Sequence, residues 1–298
     1  MDYKYIDGVQ VFVLENKNNK INNKLTKNTV NTWQSDRTEK EKLENTKQGK
    51  WAEKALELYI KEYDDFVYIP YDNFRKDNME YHAPTDGLLY NKYMVSKEIV
   101  ESFIQKINNE MLNTSSGKYG FLSKKLREEM KNTGVYMVEV KSTQLWPSIL
   151  TLDEKGAIAQ IKKNDDYIIY PKFLKSTNEI ENFVDYCNWV KENDKYMSKY
   201  SGEELFQKII EAEKENSRSD IQIRVYTDST RNKVYLIGYV LKNNIIEKRN
   251  IKRFKSKIKK KDTSKNALYY ALPIREGRGL NLLFSDYRLW NIANLKVI

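Results

Sequence analysis

The stretch Val135 to Thr143 sets Glu139 and Lys141 two residues apart among the apolar residues Val135, Met137, Val138 and Val140. On a strand this spacing puts a carboxylate and an amine on one face. In a strand anchored on both faces, such a pair is costly unless its members bind each other, hold a metal or act on a substrate. Two upstream segments supply further acids. Glu80 to Tyr90 reads as extended: Pro84 disfavours helix, and Asp86 stands directly ahead of the apolar run Leu88-Leu89-Tyr90. Earlier still, a helix opening at Gly49-Lys50-Trp51 carries Glu53 beside apolar positions Trp51, Ala55, Leu58 and Tyr59, with Glu57 one turn on as the alternative acid. The chain order is therefore a Glu on a helix, an Asp on a strand, and Glu-x-Lys on a strand.

With Pro84, Asp86, Glu139 and Lys141 in that order and Glu53 as the helix-borne acid, the chain resembles the PD-(D/E)xK nuclease superfamily, and within it the type II restriction endonucleases. The motif-bearing part covers roughly residues 45 to 175. Two features depart from the family pattern: Thr85 separates Pro84 from Asp86, and 52 residues lie between Asp86 and Glu139. The resemblance implies that Asp86 and Glu139 hold a divalent cation, that Lys141 sits near the attacked phosphate, and that Glu53 binds a second ion or positions water. Physical chemistry agrees. Phosphodiester hydrolysis needs an ionised water, a compensated phosphate and a stabilised leaving oxygen, and a carboxylate-held cation serves all three. Mg²⁺ takes oxygen ligands from one or two carboxylates plus substrate, and the Val140 carbonyl is a candidate extra ligand.

The elements that must position these groups are legible in outline. Ile99, Val100, Phe103, Ile104, Ile107 and Met111 predict an amphipathic helix capped near Ser96, and a second helix spans Leu122 to Lys131, so the segment between the motif strands (91–134) is a helical insertion. Leu152 to Lys163 reads as a helix and Tyr167 to Phe173 as the following strand, a crossover that would continue the core. Helices over 178–193 and 202–216 precede two Ile/Val/Tyr-rich strands, 220–227 and 233–241, around a loop at Asp228 to Asn232. Residues 1–34 read as an N-terminal segment with one strand at Val9 to Leu14 and an Asn/Lys-rich stretch that packs poorly. The expected organisation is that segment, a catalytic core over 35–175, and a region of helices, hairpin and basic residues over 176–298. The fold class is α/β: a restriction-endonuclease-like core with a mixed central β-sheet flanked by helices, plus additional α and β recognition elements.

Lys and Arg exceed Asp and Glu by 52 to 42, a net charge of +10 that suits a polyanionic partner, although Asn, Lys and Ile abundance also follows from a biased genome. The sharpest cluster is 248–265, with ten Lys or Arg against the single acid Asp262. Lys248, Lys252, Lys255 and Lys257 are candidates for phosphate contacts, Arg249 and Arg253 for guanine edges, and Arg275 and Arg278 for a second groove contact. The lone Cys187 lies on an apolar stripe and reads as core, and the lone His82 cannot build a zinc site with it. No P-loop, dinucleotide fingerprint, Gly-x-Ser-x-Gly elbow, signal peptide or membrane-length apolar run is present, so the expected setting is cytoplasmic and the expected chemistry ATP-independent.

The resulting expectation is a Mg²⁺-dependent, sequence-specific endonuclease of double-stranded DNA. As a restriction enzyme it implies a homodimer on a two-fold site and a cognate DNA methyltransferase encoded separately. Two alternatives stand beside it: a structure-directed nuclease of repair, recombination or transposition, and a non-catalytic basic nucleic-acid-binding protein in which Glu139 and Lys141 are a surface ion pair.

Overall fold

Thr38 and Glu41 start the first long helix. The Thr38 hydroxyl accepts from the Glu41 N–H at 3.3 Å while the Glu41 carboxylate accepts from the Thr38 N–H at 2.9 Å, a reciprocal cap. Helix α1 thus runs over Glu39–Ile60, ten residues ahead of the Gly49 start read from its apolar stripe, and Gly49 is carried through the middle. A mid-helix glycine costs about 1 kcal/mol, which the cap and the tertiary packing outweigh. The computed structural model of the chain describes residues 2–14, 38–77, 81–113, 122–145, 147–173, 180–216, 219–255 and 266–290. The Asn/Lys-rich stretch from Asn16 to Asn28 lies outside them.

The chain divides into two compact units. The described residues of the first fall within Met1–Ile161, Arg218–Tyr239 and Arg278–Ile298, and its spine is a seven-stranded sheet in the order β1-β2-β8-β7-β5-β4-β3. These strands are β1 (Tyr3–Ile6), β2 (Val9–Val13), β3 (Phe66–Pro70), β4 (Gly87–Asn91), β5 (Val135–Gln144), β7 (Ile221–Asp228) and β8 (Lys233–Leu241). β5 and β7 pair in parallel, whereas β3, β4 and β5 form an antiparallel run, so the sheet is mixed as expected. Helix α1 packs on β3, β5 and β7.

The insertion between the motif strands is helical, with α2 at Lys97–Asn113 and α3 at Lys124–Thr133. The Ser96 hydroxyl receives the Ile99 N–H, Ser123 caps α3, and Gly134 closes it at φ 87°, a left-handed conformation that glycine adopts without strain. Val100, Phe103, Ile107, Met111, Leu126 and Met130 cover the part of the sheet lined by Leu88, Val135 and Met137. The insertion therefore ends the apolar half of β5 just where Glu139 begins the polar half.

The strand read at Val9 to Leu14 is present as β2, and it gains a partner that the sequence reading did not include: Asp7 (φ 50°) and Gly8 (φ 76°) make the two-residue turn that favours hairpins, and β1 and β2 form one edge of the sheet beside β8. One sequence expectation is corrected. After the short helix α4 (Pro147–Leu150) and helix α5 (Glu154–Asn164), strand β6 at Asp166–Ile169 does not continue the motif sheet. It pairs with β10 (Asn266–Pro273), and the parallel neighbour of β5 is β7, more than fifty residues later. Periodicity identifies a strand but not its partner, which is set by long-range pairing.

The second unit, whose described residues fall within Lys162–Ser217 and Val240–Gly277, holds an antiparallel sheet in the order β6-β10-β9, with β9 at Ile251–Lys255. Helices α6 (Phe183–Asn193), α7 (Gly202–Asn216) and α8 (Lys242–Glu247) belong to it. Tyr186 and Phe183 lie against Tyr270 of the sheet, and Cys187 is fully buried, a core residue as its apolar stripe predicts. No helix among the described residues is long and apolar enough to cross a membrane.

Candidate active site

β4 pairs with β5 as far as Gly87 opposite Val138, and the residues before it stay anchored to β5. The Asp86 N–H donates to the Val138 carbonyl at 3.0 Å, and the buried Thr85 hydroxyl, 2.8 Å from the same carbonyl, lies 3.0 Å from that of Gly87. Thr85, the residue that interrupts the Pro-Asp dipeptide, thus helps lock the backbone that carries Asp86. On the other side the Asp86 carbonyl receives the Tyr71 N–H at 2.9 Å and the Tyr68 hydroxyl at 3.2 Å. Tyr68 reaches that position by lying over Gly87, where any Cβ would stand 2.5 Å from the ring.

So fixed, the Asp86 carboxylate accepts the Val140 N–H at 2.6 Å. A strand residue directs its N–H and its carbonyl toward the same neighbour, so the Val140 carbonyl faces the side from which Asp86 approaches. Flanking Val140, Glu139 and Lys141 share the opposite-pointing positions of the pleat, with Lys141 Nζ 2.5 Å from Glu139 Oε1. Ser219, just before β7, donates to Glu139 Oε2 at 3.3 Å. Asp86, Glu139 and Lys141 are therefore brought together midway along β5, where β4 begins.

Helix α1 contributes the third acid. Lys50 Nζ lies 2.8 Å from Glu53 and 2.6 Å from Asp72, which sits in the short helix after β3. Asp72 in turn contacts Arg75 at 3.3 Å, and Arg75 grips Asp77 through two 2.7 Å bonds. The result is a chain of alternating charge, Glu53, Lys50, Asp72, Arg75 and Asp77. Lys50 and Asp72 were not singled out by sequence reasoning; the Lys50/Glu53 and Asp72/Arg75 spacings of three residues are the local signal, but nothing local joins the two pairs. Glu57, the alternative acid, is engaged by Lys54 and Lys61 at 2.8 and 2.7 Å, which hold its carboxyl below its ordinary range despite partial burial.

The electrostatics separate these carboxylates. Burial pushes the Asp86 carboxyl up, the charge of Glu139 pushes it further, and the Val140 N–H, Lys141 and Lys50 oppose the shift. Burial likewise raises Glu53, with Asp86 and Asp72 adding to it and Lys50 opposing. Glu53, Asp86 and Glu139 thus form a group of acids whose mutual repulsion the two lysines only partly offset. A hard divalent cation relieves such repulsion, and the donors on offer, Asp86, Glu139 and the Val140 carbonyl, are the oxygen ligands Mg²⁺ prefers. Among the described residues no group of three or more His, Cys, Asp or Glu side chains is arranged as a metal cage.

The register extends the polar face onto β7, where Gln222 lies opposite Glu139 and Arg224 opposite Lys141. Both are buried, and the Arg224 guanidinium stands 5.1 Å from the Tyr226 ring centroid. Their alternation with Ile221, Ile223 and Val225 was visible in the sequence, but their placement beside the motif strand was not.

The basic residues proposed for DNA contact are largely engaged within their own units. Lys248 meets Glu276 at 3.3 Å, Lys252 meets Asp166 at 2.9 Å, and Arg253 donates to the Ile180 carbonyl at 2.8 Å. Arg249 pairs with Glu203 at 2.7 Å while its guanidinium lies 5.9 Å from the rings of Phe183 and Phe206. Arg278, in the first unit, lies 3.5 Å from Asp286, and Arg275 is exposed on the short helix after β10. Lys255 is on β9, and Lys257 lies outside the described residues. His82 is half-buried a few residues before Asp86. Comparison of the chain with protein-family models, with curated proteins and with solved structures returns no match.

Proposed function

We propose that the first unit is a Mg²⁺-dependent nuclease that hydrolyses phosphodiester bonds of double-stranded DNA at defined sequences, in the manner of a type II restriction enzyme. The observation that carries this reading is the convergence of Asp86, Glu139 and Lys141 midway along β5, where β4 begins, with the Asp86 carboxylate bound to the backbone N–H between the other two. The fold supports it further. Helix α1, the antiparallel strands β3, β4 and β5, and a parallel return to β7 give an order of helix then strands on a mixed sheet, which is compatible with a restriction-endonuclease-like core.

In this reading Asp86, Glu139 and the Val140 carbonyl hold the cation. When bound, Mg²⁺ supplies an ionised water, charge compensation at the phosphate and a stabilised leaving oxygen. Lys141, held against Glu139, presents its ammonium to the scissile phosphate and offsets the charge that develops there. Glu53, tethered by Lys50, orients the attacking water through its carboxylate. The excess of basic over acidic residues favours the polyanionic substrate, and a homodimer lets one site address each strand of a two-fold duplex sequence. A cytoplasmic setting and a separately encoded cognate DNA methyltransferase belong to the same proposal.

The test is incubation of wild type, Asp86→Asn and Lys141→Ala with mixed duplex DNA, with and without Mg²⁺, followed by sequencing of new ends. Discrete Mg²⁺-dependent ends that vanish in both variants support the proposal. Ends confined to flaps, junctions or termini would shift it to a structure-directed nuclease. Binding without cleavage of any DNA form, unchanged in the variants, would overturn it in favour of a binding protein whose Glu139–Lys141 contact is only an ion pair.

A further inference from the structure

The three-stranded sheet of the second unit has two unlike faces. Along β10, Leu268, Tyr270 and Leu272 are buried, and Tyr270 meets the rings of Phe183 and Tyr186 from α6. The alternate residues Ala267 and Tyr269 point the other way and are partly exposed. The register adds Phe254, opposite Ala267, and Lys252, opposite Tyr269, to that outer face. From the far edge comes Tyr170, directly after β6 and 60 % exposed, whose ring centroid lies 4.3 Å from that of Tyr269. Tyr269 in turn stands 5.3 Å from Phe254. Three aromatic rings therefore run across this face from β9 to the end of β6, with Tyr170 exposed and Phe254 and Tyr269 partly exposed, while Ala271 on the same side of β10 is buried.

We propose that this face is a stacking platform for the unpaired bases of single-stranded nucleic acid. Two observations select that occupant over an apolar protein surface. Every base presents a π-face to an exposed tyrosine or phenylalanine ring, and rings spaced across neighbouring strands accept successive bases without reading their edges. The charge is also complementary. β9 belongs to the most basic stretch of the sequence, ten Lys or Arg against Asp262 between 248 and 265, and Lys252 lies in the same register row as Tyr269 with 42 % of its side chain exposed. Asp166, which pairs with Lys252 at 2.9 Å, borders the platform at the β6 edge. A phosphate arriving beside Tyr269 competes for the Lys252 ammonium, so binding falls with salt. The proposal is independent of the catalytic reading, since it uses none of the residues of that site.

The experiment is fluorescence anisotropy of labelled oligo(dT) and oligo(U), about 20 nucleotides long, in EDTA so that no cleavage intervenes. The full chain is compared with Tyr170→Ala, Tyr269→Ala and Tyr269→Phe, and with Tyr196→Ala as a control on another exposed ring of the same unit. Tyr170→Ala and Tyr269→Ala should each weaken single-strand binding roughly five- to hundredfold, while Tyr269→Phe and Tyr196→Ala stay near wild type. Binding of either oligomer that is lost in both alanine variants supports the proposal. Circular dichroism melts confirm that each variant is folded; Tyr170→Ala, changing an exposed side chain, keeps the test intact if Tyr269→Ala is not. Single-strand binding that survives both alanine changes would overturn the proposal, as would equal losses for a duplex of the same length. A dimer in light scattering that Tyr170→Ala dissolves, without single-strand binding, would show that a second copy covers the face instead.

Discussion

Two acids, the half-buried Asp86 of the first unit and the buried Glu213 of the second, meet their surroundings in opposite ways. Glu213 on α7 is enclosed by neutral donors: the Tyr186 hydroxyl and the Lys172 backbone N–H both bond to its carboxylate, and burial still pushes it up to about 7. Asp86 in the first unit is raised by burial too, but its next largest influence is another acid, Glu139. The first arrangement satisfies a lone acid with hydrogen bonds and is complete in itself. The second gathers acids against one another with lysines at the margin, which a fold does not need for its own stability. That contrast separates a carboxylate satisfied within the fold from one that the proposed function would use to hold a cation, and the following measurements press on it.

The largest effect falls on the clustered acids. Asp86→Asn and Glu139→Gln should each lower Mg²⁺-dependent cleavage by about 10³-fold or more, measured as single-turnover rates, while leaving the thermal midpoint unchanged or raised because a repulsion is lost. A variant that melts much earlier than wild type would mean that these acids hold the fold instead.

Glu213 should behave in reverse. Its folded pKa lies above the ordinary 4.5, so the folded state holds its proton more tightly than the unfolded state does. The stabilisation is fully present below pH 4.5 and is lost as pH rises to about 7, amounting to at most about 3 kcal/mol. Glu213→Gln should flatten the fall of stability over that window in urea titrations, with cleavage untouched. A slope equal to that of wild type would remove Glu213 as its source.

Intermediate effects belong to Lys50 and Gly87. Lys50→Met frees Glu53 and Asp72 from their shared cation and should cut the cleavage rate by roughly 10- to 100-fold, with partial recovery in Lys50→Arg and a shifted pH profile that a purely structural role would not produce. Gly87→Ala drives a Cβ into the Tyr68 ring and should cost about 1–3 kcal/mol in denaturant titration. The smallest effect is expected at Glu57: Glu57→Gln loses two half-exposed ion pairs, worth about 0.5 kcal/mol, and should leave cleavage within threefold of wild type. A loss at Glu57 as large as at Glu53 would reassign the helix-borne acid.

Much of the site was legible because its signals are local. Glu139 and Lys141 fall on one face of β5 through the period of two, and Ser96, Ser123 and Gly134 bound the inserted helices through hydrogen bonds within a few residues. Asp7-Gly8 was an equally local signal that went unread, and with it the hairpin that edges the sheet. The start of α1 was placed late because its apolar stripe fades before its polar cap at Thr38.

The sequence by itself determined the residue types, their faces and most element limits, since propensity, capping and periodicity act over one or two turns. Tertiary structure alone decided the rest. It set Asp86 against Val140, joined Glu53 to Asp72 through Lys50, made β7 rather than β6 the neighbour of β5, and paired Lys248, Arg249, Lys252 and Arg253 with carboxylate or carbonyl partners of their own unit. These contacts link residues up to more than eighty positions apart, and strand pairing and ion pairing at such distances depend on which buried faces meet, which no local pattern encodes.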